Sequence, residues 1–264
     1  RPHPLHLRLD QDPGAGHRLT YGNSNLNQTG NYLMSFKIQV LNRIKSKLTI
    51  NAIIDVGVNI QTIELIKAFP DIHHYLFEID PIYNDSIHSN YSDLKYSLHN
   101  VGLSDKSGLM FINSFSIHGN NQITHTVIRN QPINSYNGNV ILSSKEVVIQ
   151  RLDEVDQVFQ SGCLMKIDVD GADVTVFKGA EGLLNLIDVV VIESTISKLT
   201  ETIQIISSCG YFLADMADII YYGECIYQVD LIFIRNEFRD LFVENFQPFK
   251  SHQWKHYLQK NNHI

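Results

Sequence analysis

Cysteine is scarce in this chain: three in 264 residues, beside one tryptophan and seven prolines. Cys163, Cys209 and Cys225 are odd in number and show no Cys-x-x-Cys spacing, which excludes a disulfide framework and a thiolate zinc site and fits a reducing cytoplasm. Long hydrophobic runs are also missing. The most apolar stretches, such as Ile187 to Ile192, fall far short of the roughly 20 residues that a membrane helix needs, and no charged-then-apolar leader opens the sequence. A soluble protein with no membrane span is expected. Basic residues are outnumbered, 21 Lys and Arg against 28 Asp and Glu, giving a net charge of −7 and a pI near 5.9. Such a balance speaks against a surface built to neutralise a phosphate backbone, so nucleic acid is not expected as a partner.

What the chain has is enough apolar material for one large core, 44% of its residues, and a pattern near its first third that points to a ligand. Ile53-Ile54-Asp55-Val56-Gly57-Val58-Asn59-Ile60 is followed, about twenty residues on, by Tyr75-Leu76-Phe77-Glu78-Ile79-Asp80-Pro81. The order is strand, glycine turn, helix, strand, acid. A glycine at the first turn lets backbone pass close to a ligand, and the helix behind it presents amide N–H groups. Glu78, at the tip of the second strand, stands where a ribose diol would lie, and its carboxylate can accept both hydroxyl protons. Gly57 is the sole glycine in that turn, which suits S-adenosylmethionine better than a dinucleotide, whose pyrophosphate needs more close backbone approach.

Composition changes along the chain. Residues 1–20 are rich in Arg, Pro, His, Leu and Gly, whereas the sequence beyond is rich in Ile, Asn, Ser and Lys. Two readings of 1–33 stay open: a non-native segment preceding a start at Met34, or a disordered native arm. From residue 34 to 235 a single domain is expected, beginning with an amphipathic segment that carries Phe36, Val40, Leu41, Ile44 and Leu48 at helical spacing. Strands are expected at 51–56, 73–79, 95–101, 108–115, 145–150, 163–168, 187–193, 211–218 and 226–234, and helices at 60–69, 82–91, 153–159, 172–184 and 199–208. Strands alternating with helices make a mostly parallel sheet, and the last two strands form a hairpin that leaves the final one antiparallel. The Asn- and Gly-rich stretch from Gly119 to Gly138 reads as a mobile or substrate loop. The aromatic-rich extension 236–264 reads as packing against the domain.

A second acidic block, Leu164-Met165-Lys166-Ile167-Asp168-Val169-Asp170-Gly171-Ala172-Asp173, follows an apolar strand that delivers Asp168 to the carboxyl edge of the sheet. Three carboxylates in six residues also invite a calcium or magnesium reading, but Gly171 and Gly179 sit at the wrong loop positions for an EF-hand, and no metal is expected. Lys166 is expected to pair with a neighbouring carboxylate. His99, His118 and His125 are candidate bases, since imidazole titrates near neutrality. Asp170 and Glu193 are further candidates for an acceptor pocket.

Together these segments resemble the FkbM-type S-adenosylmethionine-dependent methyltransferases. The likeness rests on Asp55-Val56-Gly57-Val58-Asn59, Phe77-Glu78-Ile79-Asp80-Pro81, Leu103-Ser104-Asp105-Lys106-Ser107-Gly108, Arg151-Leu152-Asp153 and Lys166-Ile167-Asp168-Val169-Asp170-Gly171-Ala172-Asp173, in that order across 51–235. It implies a Rossmann-like α/β fold with a seven-stranded sheet and methylation of a hydroxyl on a sugar, glycan or polyketide-like small molecule. By the same resemblance Asp55, Gly57 and Asn59 border the methionine part of the cofactor, Glu78 the ribose, and Leu103, Ser104 and Asp105 the adenine. Asp168 then lies beside the methyl as orienting group or base. Members carry a further glycine just after the Asn, and here Ile60-Gln61 follows instead. A module that kept the fold and lost the cofactor is therefore the first rival reading, and a nicotinamide-dependent oxidoreductase the second.

Overall fold

The computed structural model describes residues 36–243, apart from 117, 122, 124 and 170. In chain order the elements are α1 (Phe36–Lys45), β1 (Ala52–Val56), α2 (Ile63–Ala68), β2 (His73–Phe77), α3 (Asn84–Asn90), β3 (Tyr96–His99), β4 (Gly102–Leu103), β5 (Gly108–Phe115), β6 (His125–Arg129), β7 (Ser135–Tyr136) and β8 (Asn139–Gln150). They continue with β9 (Cys163–Ile167), α4 (Asp173–Lys178), β10 (Ile187–Thr195), α5 (Leu199–Ser208), β11 (Tyr211–Tyr222), β12 (Cys225–Arg235) and α6 (Arg239–Phe242). The chain forms two compact units, a smaller one that includes Met110–Glu146 and a larger one whose described residues are 36–109 and 147–243.

The larger unit is built on a seven-stranded sheet in the order β3-β2-β1-β9-β10-β12-β11. β3, β2, β1, β9 and β10 are parallel, and β12 runs antiparallel to both of its neighbours. Every residue of β1 and β9 is buried, as expected of parallel strands covered on both faces. Adjacent residues divide between the two faces: Ile53, Leu164, Val189 and Val191 join Val40, Leu41 and Ile44 of α1 and Leu65 of α2, while Ile54, Met165, Val190 and Ile192 join Val176 and Phe177 of α4 and Ile206 of α5. Crossover helices thus cover both sides, and every parallel strand ends on the same edge.

Several expected elements are shorter than the pattern suggests. No helix forms over 153–159; a single 3₁₀ turn, Leu152–Glu154, stands there. Asp153 donates its N–H to Gly179 O, and its carboxylate accepts from Arg151 and from the Gly182 N–H, so its groups are engaged across the fold instead of along a helix. The expected helix 172–184 divides into α4 and a 3₁₀ turn, Glu181–Leu183. The break falls at Gly179, where a Cβ would lie 1.9 Å from the Ser104 carbonyl oxygen.

In the smaller unit, the stretch expected as a loop contains two strands. β6 pairs antiparallel with β5, from Phe111 opposite Arg129 to Phe115 opposite His125, and β7 pairs with the start of β8 through the Asn137-Gly138 turn. Both turn residues have positive φ, 48° and 79°, the geometry of a tight hairpin with right-handed twist. Polar residues hold the unit: the buried Asn113 amide oxygen accepts from Ile133 N–H at 3.1 Å and Ser144 hydroxyl at 2.7 Å. Arg129 lies over the Tyr136 ring at 4.9 Å.

Candidate cofactor and acceptor site

The β1–α2 turn is set by Gly57. Its φ of 79° is left-handed, and a Cβ there would lie 1.9 Å from the Asp168 carbonyl oxygen. No side chain fits. Asn59 follows with φ 55°, a conformation its short polar side chain tolerates. Asn59 supplies a second left-handed residue in the turn, Ile60 is half exposed, and Asn90 Nδ2 donates to the Ile60 carbonyl at 3.0 Å.

Glu78 leaves the end of β2 into the same space. It is buried, and its carboxylate accepts the Asn59 N–H on Oε2 at 2.8 Å and the Asp80 N–H on Oε1 at 3.0 Å. A carboxylate oriented by two backbone amides is acceptor-only chemistry, which is what vicinal hydroxyls require. Asn100, at the end of β3, escaped sequence reasoning. Its amide donates to the Glu78 carbonyl at 3.1 Å and exchanges hydrogen bonds with Asn84 at 2.9 Å, fixing the backbone from which the carboxylate projects. A polar residue at a strand end beside the acid was the available signal.

Asp55 is fully buried on β1, with its carboxylate 3.5 Å from Lys166 Nζ and 3.4 Å from the Tyr91 hydroxyl. Lys166 also reaches the Gly57 carbonyl at 3.2 Å and Asp168 at 3.4 Å, so the ammonium ties the two strand ends together. Burial, aided by the Asp55 charge, holds the Tyr91 phenol well above its ordinary range, so it stays a donor. Asp168, part-exposed, is thus anchored beside the Gly57 turn.

Asp173 closes the acidic block from inside. Its carboxylate accepts the Val169 N–H and the Gly171 N–H, both at 3.0 Å, and burial pushes it up to about 6, with the Asp168 charge adding to the effect. Asp170 lies outside the described residues. A cavity of about 130 Å³ opens between the first turns of α4 and α5, bordered by Asp173, Glu193, Thr195, Lys198 and Thr202. Lys198 Nζ donates to the Gly171 carbonyl at 2.8 Å, and Gln228 Nε2 donates to the Glu193 carboxylate at 2.5 Å.

The remaining sequence candidates sit on or next to β3, β4, β5 and β6. Leu103 is buried and Ser104 donates its N–H to Gln150 O at 2.9 Å, while Asp105 accepts Arg151 through its carbonyl at 3.0 Å. His99 stacks on Phe77 at 4.8 Å, and burial pulls its imidazole below the ordinary histidine range. His118 belongs to the smaller unit, exposed in the turn after β5, and His125 opens β6 of that unit, its side chain outside the described residues. Among the described residues no group of three or more His, Cys, Asp or Glu is arranged to hold a metal, and no helix is long and apolar enough to cross a membrane.

Residues 55–213 match the model of the methyltransferase FkbM domain. The chain belongs to the FkbM methyltransferase family. No curated protein matches it. Among solved structures it is similar to M. capricolum TrmK in complex with S-adenosyl-homocysteine, at 14% identity over 78% of this chain and 70% of that one, with a TM-score of 0.44. It is likewise similar to precorrin-6y C5,15-methyltransferase from Geobacter metallireducens, at 12% identity over 75% and 86% with a TM-score of 0.42. An rRNA methylase from Streptococcus thermophilus matches at 9% over 75% and 93%, also at 0.42. The strand order of the larger unit and the turn at Gly57 are what this FkbM member's Rossmann-like methyltransferase fold consists of.

Proposed function

We propose that this FkbM member binds S-adenosylmethionine at the carboxyl edge of its sheet and transfers the methyl to a hydroxyl of a sugar, glycan or polyketide-like small molecule. The observation that carries the reading is the Glu78 carboxylate, oriented by the Asn59 and Asp80 amides beside a turn in which Gly57 leaves no room for a side chain. Glu78 would accept the ribose hydroxyls, Asn59 and Gly57 would border the methionine part, and Leu103 to Asp105 the adenine. The cofactor supplies an activated methyl. Asp168, held by Lys166, would orient the acceptor at the sheet edge, and Glu193 would line its pocket. Most of the rate gain would come from holding the acceptor in line at about 3 Å.

Calorimetry with S-adenosylhomocysteine tests the cofactor. Two charge-assisted hydrogen bonds from the ribose are worth roughly 1.5–3 kcal/mol each, so Glu78→Ala is expected to weaken binding about tenfold or more. An unchanged dissociation constant in a folded variant would sink the ribose assignment, and binding of NAD instead would favour the oxidoreductase. A methyl-transfer screen over hydroxylated sugars and polyketides then identifies the acceptor.

A further inference from the structure

A hairpin flanks the cavity between α4 and α5. β11 and β12 meet in it, with Tyr221 opposite Ile226 and Tyr222 opposite Cys225. The Ile196 N–H donates to the Tyr227 carbonyl at 2.8 Å, which ties the hairpin to the segment between Thr195 and Lys198, two residues that border the cavity. Val229, Leu231 and Phe233 of β12 pack in the cluster that holds Phe177 of α4 and Ile206 of α5, and alternation puts Tyr227 on that same face. The Tyr222 ring lies against the Tyr227 ring, with centroids 6.3 Å apart. Cavity and tyrosine pair are therefore neighbours on one face of the sheet. From the α1 face, Lys37 pairs with Asp230 of β12 and, at 2.8 Å, with Asp218, the left-handed residue in the register break of β11, so the hairpin is braced behind the tyrosines.

The two neighbours differ in chemistry. Thr175 and Lys178 of α4 and Glu201 of α5 border the cavity, and none of these three side chains has a polar partner among the described residues. They offer a hydroxyl, an ammonium and a carboxylate, a set that both gives and takes hydrogen bonds, as a ligand hydroxyl does. Charges of both signs stand on the border, Lys178 and Lys198 against Asp173, Glu193 and Glu201, so an anionic ligand finds no excess of positive charge there. The hairpin is apolar by contrast: Tyr222 is 59% exposed, and Tyr221 and Ile196 beside it are 55% and 48% exposed. Open rings next to a polar cavity suit a ligand with hydroxyls on its rim and C–H groups on its faces, which is a sugar ring. An apolar polyketide would leave the ammonium and carboxylates of the cavity unpaired.

Position along the sheet sets the length of that ligand. Ile167 of β9 is level with Ile192 of β10, so Asp168 and Glu193 stand one step further on, side by side. The cavity thus begins one strand, about 4.8 Å, from Asp168, whereas the strands of Tyr227 and Tyr222 are two and three away, roughly 10 and 14 Å. A single ring beside Asp168 does not reach the tyrosines. On the reading that the methyl is presented beside Asp168, we propose that the acceptor is a neutral glycan chain of two or more residues. The residue to be methylated places its hydroxyls in the cavity between α4 and α5, and the next residue stacks on Tyr222 and Tyr227.

An array of neutral and acidic saccharides of graded length, probed with the full chain and read by antibody with and without S-adenosylhomocysteine, tests this without turnover. Retention is expected on neutral saccharides of two or more residues. Tyr222→Ala is expected to lower the apparent affinity about tenfold on these, while Tyr222→Phe, which keeps the ring, stays within about twofold of the wild type. Glu201→Gln is expected to weaken short and long saccharides alike, since it alters the cavity and leaves the tyrosines in place. Calorimetry with S-adenosylhomocysteine, expected within about twofold of the wild type for each variant, controls for folding. No retention of the wild type on any saccharide, equal retention of Tyr222→Ala and the wild type, or retention on acidic saccharides alone would overturn the inference, as would displacement from the array by transfer RNA. Retention by a wild type that fails to bind S-adenosylhomocysteine would instead keep the saccharide site and remove the methyl-transfer reading.

Discussion

A side chain at Gly57 meets two obstacles at once, a left-handed backbone and the Asp168 carbonyl 1.9 Å from where its Cβ would be. Gly57→Ala is therefore expected to cost roughly 2–4 kcal/mol in urea unfolding, the sum of left-handed strain and local overpacking, and to abolish S-adenosylhomocysteine binding. Asp173 makes a different residue-scale prediction. Its folded-state carboxyl is raised from 3.8 to about 6. The folded chain therefore holds more protons than the unfolded chain between those values, and the stability this group contributes falls as pH rises through that window. Asp173→Asn removes the slope. Relative to wild type, the variant is expected to gain on the order of 1–3 kcal/mol on going from about pH 4 to pH 7, read by urea unfolding at both. Residues of this kind differ in legibility. Gly57 and Glu78 announce themselves by type and spacing, whereas Lys37 and Asp230 are 193 positions apart (230 minus 37) and are joined only by the sheet.

At the scale of the element, α1 shows what amphipathic spacing can and cannot foretell. Val40, Leu41 and Ile44 are all buried against the sheet as their spacing requires. Leu41→Ala is expected to cost about 2–5 kcal/mol, seen as a lowered Tm. The helix direction was not legible: Lys37 meets Asp230 near the carboxyl edge while Lys45 meets the Ala68 carbonyl at the end of α2. The order and type of the parallel strands were legible because burial on both faces makes them short continuous apolar runs. Helices at 153–159 and 172–184 were over-read because hydrophobic period records a buried face but not a tertiary competitor, here the Arg151–Asp153–Gly182 contacts and the close approach of Gly179 to Ser104. β6 and β7 were missed since a polar, Asn-rich hairpin lacks the alternation by which half-buried strands are recognised.

For the whole molecule, the net charge of −7 sets an expectation about partners. A filter-binding assay with transfer RNA near physiological salt is expected to show no retention, because few phosphates can be neutralised by this surface; tight binding would redirect the acceptor search to nucleic acid.

The three thiols give the larger unit a built-in chemical address. Cys163 is buried in β9, with its thiol pushed up to about 12 by burial and the nearby Asp188, whereas Cys209 and Cys225 are exposed. Cys209 stands just before β11 and Cys225 just after its hairpin turn, so the twelve residues of β11 separate them by about 40 Å, one at each edge of the sheet. An alkylating dye should add two labels and not three by intact mass. In a Cys209→Ser background a fluorophore on Cys225 would report events at the edge that holds Glu78 and Asp168, and a thiol-reactive tether on Cys209, in a Cys225→Ser background, would anchor the protein to a surface with that edge turned towards solution.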